Sequence, residues 1–399
     1  MPIAPARSKT PSDTRLVSNP IYLDYNATTP VTPEVADAIE PFLRTGFGNP
    51  SSDHVYGRQA RHAVDRARSQ VAALVGCDVS EVVFTGCATE ANNLAIFGVA
   101  RALRETRRHV VTSAIEHPAV LQPCQRLAQD GWDVTVVPVD RNARVDLGTL
   151  AGALRDDTAL VTIMHANNEV GTLQDIPQIA KLAHACGALM HTDAAQAIGK
   201  IPVDVHALGV DLLTIAGHKF YAPKGIGALY VRRGTPILPV IVGANQEQGL
   251  RPGTENVPAI VGLGEAARLA RGRLPHAGAQ MQQMRDLLHR LLGDVISGLT
   301  LNGHTEHRLP NTLNVSFPGV RGQELLHAVE SGVAASVGSA CHSESEAVSG
   351  VLATMGIGID RAIGAVRLSV GIPTTEDEIR RAAQALATAW QQIGNQRRT

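Results

Sequence analysis

Lysine is the first scarcity. The chain has 399 residues and balances 36 Lys or Arg against 37 Asp or Glu, yet only five of those cations are lysines: Lys9, Lys181, Lys200, Lys219 and Lys224. Any lysine chemistry therefore has few candidates. Neither sign of charge is in excess, which argues against a dedicated nucleic-acid or anionic-membrane binder, whose footprint is a basic surplus. Long apolar runs are missing too. No segment approaches the roughly 18 to 20 continuous apolar residues of a membrane span, and the N-terminal stretch lacks the apolar core of a signal peptide. The five cysteines, Cys77, Cys87, Cys124, Cys186 and Cys341, are odd in number, widely spaced and never in a C-x-x-C pair. Neither a disulfide framework nor a structural zinc site is expected from them. The expectation is a soluble protein of a reducing, cytoplasmic compartment.

What is present is enough for a large core. Hydrophobic residues make up 44% and charged residues 18%, which excludes a disordered chain. At roughly 150 residues per domain the length suggests two or three domains. Residues 1–20 are rich in Pro, Ser, Thr and charge and read as a mobile extension. Strand candidates then fall at 81–86, 109–115, 133–139, 159–166, 188–194, 212–217 and 227–232. Helix candidates lie between them, at 57–74, 88–104, 119–130, 147–154 and 176–186. Apolar runs interleaved with helices predict an α/β fold, a mostly parallel sheet covered on both faces. A helical, Arg-rich stretch at 257–298 follows. Strands at 309–317 and 364–370 and a helix at 375–393 then suggest a smaller α+β unit.

In such a sheet ligands bind beyond the carboxyl ends of the strands, and several polar clusters sit there. The run VVFTGCATEANN (82–93) passes from strand to helix, where backbone N–H groups and Thr89 could hold a phosphate. An ordinary capped turn would read the same way, and no G-K-[ST] follows to make a nucleotide P-loop. In LMHTDAAQAIGK (189–200), Asp193 ends a strand, as a helix cap or as the counter-ion of a cationic ring nitrogen, with Gln196 nearby. In LLTIAGHKFYAPKG (212–225), Lys219 follows a strand among apolar and glycine neighbours. Desolvation there disfavours the ammonium and suits a Schiff-base lysine. Of the other lysines, Lys9 is in the tail, Lys181 on a helix surface, and Lys200 and Lys224 in connecting loops. A phosphate cup, a carboxylate for a pyridinium and such a lysine are together what pyridoxal 5′-phosphate requires.

Three further features complete the reading. Cys341 lies among Gly, Ser, His and Glu in 335–350, beside His342, and is a candidate nucleophile. Arg367 stands in an apolar strand and needs an anionic partner, for which a substrate carboxylate would serve. His117 ends another strand, where a ring stacked on a cofactor and an ordinary loop histidine are both open. His304, Glu306 and His307 are read as a polar loop, not a metal site, for want of a fourth ligand.

These residues resemble a known family. YLDYNATTP (22–30), GNPSS (48–52), EHPAVL (116–121), ANNEVG (166–171), HTDAAQ (191–196), GHKFYAPKG (217–225), RPGTENVPAIVGLG (251–264), GSACHS (338–343) and RLSVG (367–371) are similar to motifs of class V, fold-type I pyridoxal-phosphate enzymes, the cysteine desulfurase and selenocysteine lyase group. The resemblance implies a large cofactor-binding domain over 29–272, with a seven-stranded sheet. It also implies a small domain of 21–28 with 273–399 that carries the cysteine loop. It implies Lys219 as the cofactor's amine, Asp193 on the pyridine nitrogen, and His117 stacked on the ring and acting in catalysis. Asn168 and Gln196 would contact the phenolic oxygen; Ala88, Thr89 and His218 would hold phosphate, with Thr254 added across a homodimer interface. Arg367 would bind the substrate carboxylate, and Cys341 would take sulfur from L-cysteine as a persulfide, leaving L-alanine. Selenocysteine lyase is the alternative, and another class V aminotransferase or lyase a more distant one. The sulfur would pass to a small thiol or an acceptor protein, as in iron–sulfur cluster assembly or tRNA thiolation. Ala216, Cys87 and Asn245 depart from the family pattern, the first by removing a phosphate-binding hydroxyl.

Overall fold

The computed structural model of the chain describes residues 19–337 and 348–396. Cys341, His342, the GSACHS motif and nearly all of the N-terminal extension lie outside the described residues. The first strand, β1 (Ile21–Tyr22), precedes two helices, α1 (Pro33–Arg44) and α2 (Val55–Val75). The expected alternation follows: β2 (Val82–Thr85), α3 (Ala88–Leu103), β3 (His109–Ser113), α4 (Pro118–Gln129), β4 (Asp133–Val137) and α5 (Leu147–Ala153). It continues through β5 (Thr158–Thr162), α6 (Ile176–Ala185), β6 (Leu189–Asp193), α7 (Val205–Leu208), β7 (Leu212–Ala216) and β8 (Gly227–Val231). A 39-residue helix, α8 (Val257–Val295), comes next. After it come β9 (Thr300–Leu301), β10 (Thr312–Ser316), α9 (Gly322–Ala328), β11 (Val333–Ala334), α10 (Gly350–Thr354), α11 (Ile359–Ile363), β12 (Ala365–Ser369) and α12 (Glu376–Gln396).

Seven strands form one sheet in the order β2-β8-β7-β6-β5-β3-β4. Only β8 runs antiparallel to its neighbours. Alternate residues of each strand serve opposite faces. Val83, Val110, Leu160, Leu212 and Leu229 pack with Leu94 and Ile96 of α3 and Val120 and Leu127 of α4. Phe84, Val111, Val161, Met190 and Leu213 pack on the other side with Val64 and Val71 of α2, Ile179 of α6 and Leu263 of α8. Both faces are covered, which is why the strands read as unbroken apolar runs.

A second core gathers Ile21 and Leu23, the later half of α8 from Ala277 to Leu292, Leu313 and Val315 of β10, Leu368 of β12 and Ile379 and Leu386 of α12. Helix α8 serves both cores: Val257 to Ala270 belong to the first and Ala277 to Leu292 to the second. Helix α1 is not expected from the sequence, and several strands are shorter than their apolar runs. The run 159–166, for example, leaves the ladder after Thr162. The chain beyond such strand ends turns to build a site, and its backbone groups bond elsewhere. Met164 N, for one, donates to the Glu116 carboxylate.

Candidate active site

The carboxyl ends of the parallel strands β2, β3, β5, β6 and β7 lie along one edge of the sheet. The loops that leave them carry the polar clusters. After β2 the chain turns into α3 with Cys87 as N-cap, in extended backbone and with no side-chain cap hydrogen bond. The cap therefore leaves the first-turn N–H groups, at the positive end of the helix, to be satisfied by something else. Glu90 does not turn into that space. Its carboxylate accepts from Gly86 N at 2.8 Å and pairs with Arg251 at 2.8 Å. Gly227, at the start of β8, lets the strand pack on this turn. A Cβ there would lie 2.9 Å from the Cys87 carbonyl carbon and 3.1 Å from Ala88 N. Ala88 is half-buried and Thr89 exposed.

Asp193, at the end of β6, is buried. Its Oδ2 accepts from Asn92 Nδ2 at 2.8 Å and its Oδ1 from Ala195 N at 2.9 Å. One oxygen thus makes the local turn that the sequence offered as the plain reading, while the other is held by α3. The sequence motifs do not single out Asn92, although an Asn on an apolar helix face is its signal. His117 caps α4, its Nδ1 accepting from Ala119 N at 3.1 Å. Partial desolvation lowers its imidazole pKa; the Asp193 charge opposes that, and Lys219 adds to it. Beneath it Glu116 is fully buried, and burial pushes its carboxyl up to about 8.

Lys219 occupies a single 3-10 turn after β7. Its Nζ donates to the carbonyls of Asn26 at 2.6 Å and Ala27 at 2.8 Å. Burial first, and then the Arg367 charge, push the amine down to about 8. Residues 24–29 therefore cross the site from the N-terminal side. His218 makes a 3.2 Å contact from Nδ1 to Thr28 Oγ1 and is pushed down to about 4, chiefly by burial. Gln196 donates from Nε2 to Asn26 O at 2.9 Å and accepts from Lys200 Nζ at 2.7 Å.

Lys200 departs from what its loop position suggested. It is only 5% exposed, more enclosed than Lys219. The sequence could not tell them apart, because a β-turn run such as AAQAIGK looks the same whether it faces solvent or the interior.

Arg367, on β12, reaches the same edge. Its guanidinium donates to Asp24 Oδ1 at 2.7 Å and to the Asn168 carbonyl at 3.0 Å, while its buried Nε has no partner among the described residues. Asp24, in the YLDYNATTP run, is a second residue to which the sequence motifs assign no role. Asn168 joins the site through that carbonyl, which Asn26 Nδ2 also reaches at 3.2 Å. Thr254 is exposed, in the segment before α8. No group of three or more His, Cys, Asp or Glu able to hold a metal ion occurs among the described residues, and His304 Nδ1 is occupied by the backbone of Glu306 and His307. The four cysteines among the described residues are free, with Cys124 buried and Cys87 exposed.

Comparison with known proteins points the same way. The sequence profile of the family described as aminotransferase class-V matches residues 21–382. The cysteine desulfurase IscS of Dictyoglomus turgidum is 47% identical over 360 residues, spanning 90% of this chain and 91% of that protein. A solved NifS-like protein superposes with a TM-score of 0.87 at 38% identity, over 94% of this chain and 99% of the other. A structure described as SspA in complex with cysteine superposes with a TM-score of 0.79 at 36% identity, over 89% and 99% of the two chains.

Proposed function

The chain belongs to the aminotransferase class-V family, and we propose that within it the protein is a pyridoxal-phosphate-dependent cysteine desulfurase. The observation that carries the proposal is the pair formed by Lys219 and Arg367: a half-buried amine pushed down to about 8, beside a guanidinium whose Nε has no partner among the described residues. The surrounding groups fit the cofactor. An α3 start without a side-chain cap suits a phosphate, buried Asp193 suits a pyridinium, and Lys219 suits an aldehyde. Bound there, the cofactor would supply an electron sink for the bonds around an amino acid's α-carbon.

The protein's own groups divide the remaining work. Ala88, Thr89 and His218 would hold phosphate, and exposed Thr254 would reach the phosphate of a partner subunit in a homodimer. His117 would cover the ring. Asn168 and Gln196 would serve the phenolic oxygen. Arg367 binds the L-cysteine carboxylate, for which Asp24 holds its place at 2.7 Å. Lys219, half of its amine protonated near pH 8, is suited to hold or return a proton at the substrate's α-carbon. The Cys341 thiolate then takes the sulfur: an S–S bond forms as the substrate C–S bond breaks, leaving L-alanine and a persulfide. Cys341 owes this role to the resemblance, since it lies outside the described residues. The persulfide would pass to a small thiol or an acceptor protein. Two domains divided near residue 272 are part of the same reading, supported by the two cores that share α8. So is a cytoplasmic location; no helix among the described residues is long and apolar enough to cross a membrane.

Alanine release from L-cysteine and L-selenocysteine at equal concentration tests the substrate. Release from L-cysteine is expected, and alanine from selenocysteine alone would overturn it. Cys341→Ser should abolish sulfur transfer; unchanged activity would remove the persulfide route.

A further inference from the structure

We propose that Lys200 is a positioning residue of this site. Its amine braces the side chains of Gln196 and Asn26, and so fixes the hydrogen-bonding groups presented beside Lys219. The proposal rests on the reading of the site given above, but its evidence is separate.

Lys200 is buried, and its Nζ lies 2.7 Å from Gln196 Oε1 and 3.4 Å from Asn26 Oδ1. Among the described residues it has no ion pair. The charges that bear on it, Lys219 and Arg367, are both positive, and with burial as the larger cause they hold its amine well below the usual lysine range. A buried cation without a counter-charge is costly, and here the hydrogens of the amine go to two side-chain amide oxygens. A methionine would fill the same space more cheaply. What the amine adds is orientation.

Because Lys200 claims Gln196 Oε1, the Nε2 end of that amide must face the other way, where it donates to Asn26 O at 2.9 Å. That carbonyl is also the 2.6 Å acceptor of Lys219 Nζ. Asn26 is fixed from its remaining sides. Its Oδ1 also accepts from Asn311 Nδ2 at 2.9 Å, and its Nδ2 donates to Thr312 Oγ1 at 2.8 Å. Its backbone N–H donates to Ser369 Oγ at 2.9 Å. Only Gln196 has freedom to turn, and Lys200 removes it. The second N–H of Gln196 Nε2 is then the one offered to a ligand, and the Asn26 carbonyl stays aimed at Lys219.

Lys200→Met keeps the side-chain length and deletes both donors, so folding should be retained with near-normal melting. In the cofactor-free protein, the pH midpoint at which the Lys219 amine reacts with an acylating reagent should fall by about 0.5 unit or more, because a Gln196 amide free to turn no longer holds the Asn26 carbonyl on the Lys219 ammonium. In the loaded protein, the pH midpoint of the visible band should move by a similar amount. Lys200→Gln, which keeps an amide donor, should recover more than half of each shift, and Lys200→Met should add nothing in a Gln196→Ala background. Unmoved midpoints, equal shifts in Lys200→Met and Lys200→Gln, or additive shifts in the double variant would overturn the proposal. A wild-type protein that takes up no pyridoxal phosphate would sink the cofactor reading instead, while the acylation midpoints still decide on Lys200.

Discussion

The loop after β6 ends on Lys200 and the loop after β7 carries Lys219, yet the two lysines are held in different ways. Lys200 is enclosed and gives its hydrogens to side-chain amides, Gln196 and Asn26. Lys219 is half-buried and gives its hydrogens to main-chain carbonyls, Asn26 and Ala27. Burial lowers both amines, so depression alone does not mark the reactive one. Access does: a lysine must reach its ligand to react with it, and Lys219 is the one left partly open at the carboxyl edge of the sheet. The loops also touch. Gly199, at φ +75°, has so little room that a Cβ would come within 2.7 Å of Phe220 Cβ, directly beside Lys219.

The contrast breaks most sharply if Lys219 is removed. Lys219→Ala should lower alanine formation by about 10³-fold or more and erase the visible band of the cofactor-loaded protein. Comparable loss from Lys200→Met would dissolve the distinction. Arg367, the cation that presses on both amines, comes next. Arg367→Ala should raise KM for L-cysteine by about 10- to 100-fold, the worth of a lost charge-assisted hydrogen-bonding pair. An unchanged KM would assign the carboxylate to another group.

The third expectation concerns pH. The amine of Lys219 is pushed down to about 8, so the neutral form that captures an aldehyde dominates above that pH and the ammonium below it. Uptake of added pyridoxal phosphate by cofactor-free protein should therefore rise about tenfold per pH unit below the midpoint and level off above it. Stopped-flow absorbance would follow this, and a midpoint near 10 would mean that burial does not act as described. The smallest effect falls on the contact between the loops. Gly199→Ala forces a positive φ on a side chain that also meets Phe220, and should cost about 1–3 kcal/mol of stability, read from denaturant melts. No change would show that the two loops can move apart.

Much of this was legible in the sequence because one-dimensional patterns carry it. Apolar runs such as 212–217 and 227–232 could only be buried strands, and Lys219, Asp193 and Arg367 each stood out as a charge at the end of, or within, such a run. What stayed hidden depends on contacts between distant segments. Asn92 and Asp193 are 101 residues apart, and Asp24 and Arg367 are 343 apart. No local spacing announces either pair. Lys200 was hidden for a related reason. Its amine meets Asn26, 174 residues away, a contact invisible in AAQAIGK itself.

Helix α8 has a consequence for how such a chain can vary in length. Each residue of an α-helix advances its faces by about 100° and 1.5 Å. The apolar stripe that ends at Ala270 must therefore stay in phase with the one that begins at Ala277. A single residue gained or lost between them would swing the whole second set of contacts, Met281, Leu288 and Leu292 among them, away from the core that they fill. Length changes in this stretch are thus restricted to those near a whole number of turns, and loops elsewhere must absorb the rest. The helix works as a ruler and a phase clock at once.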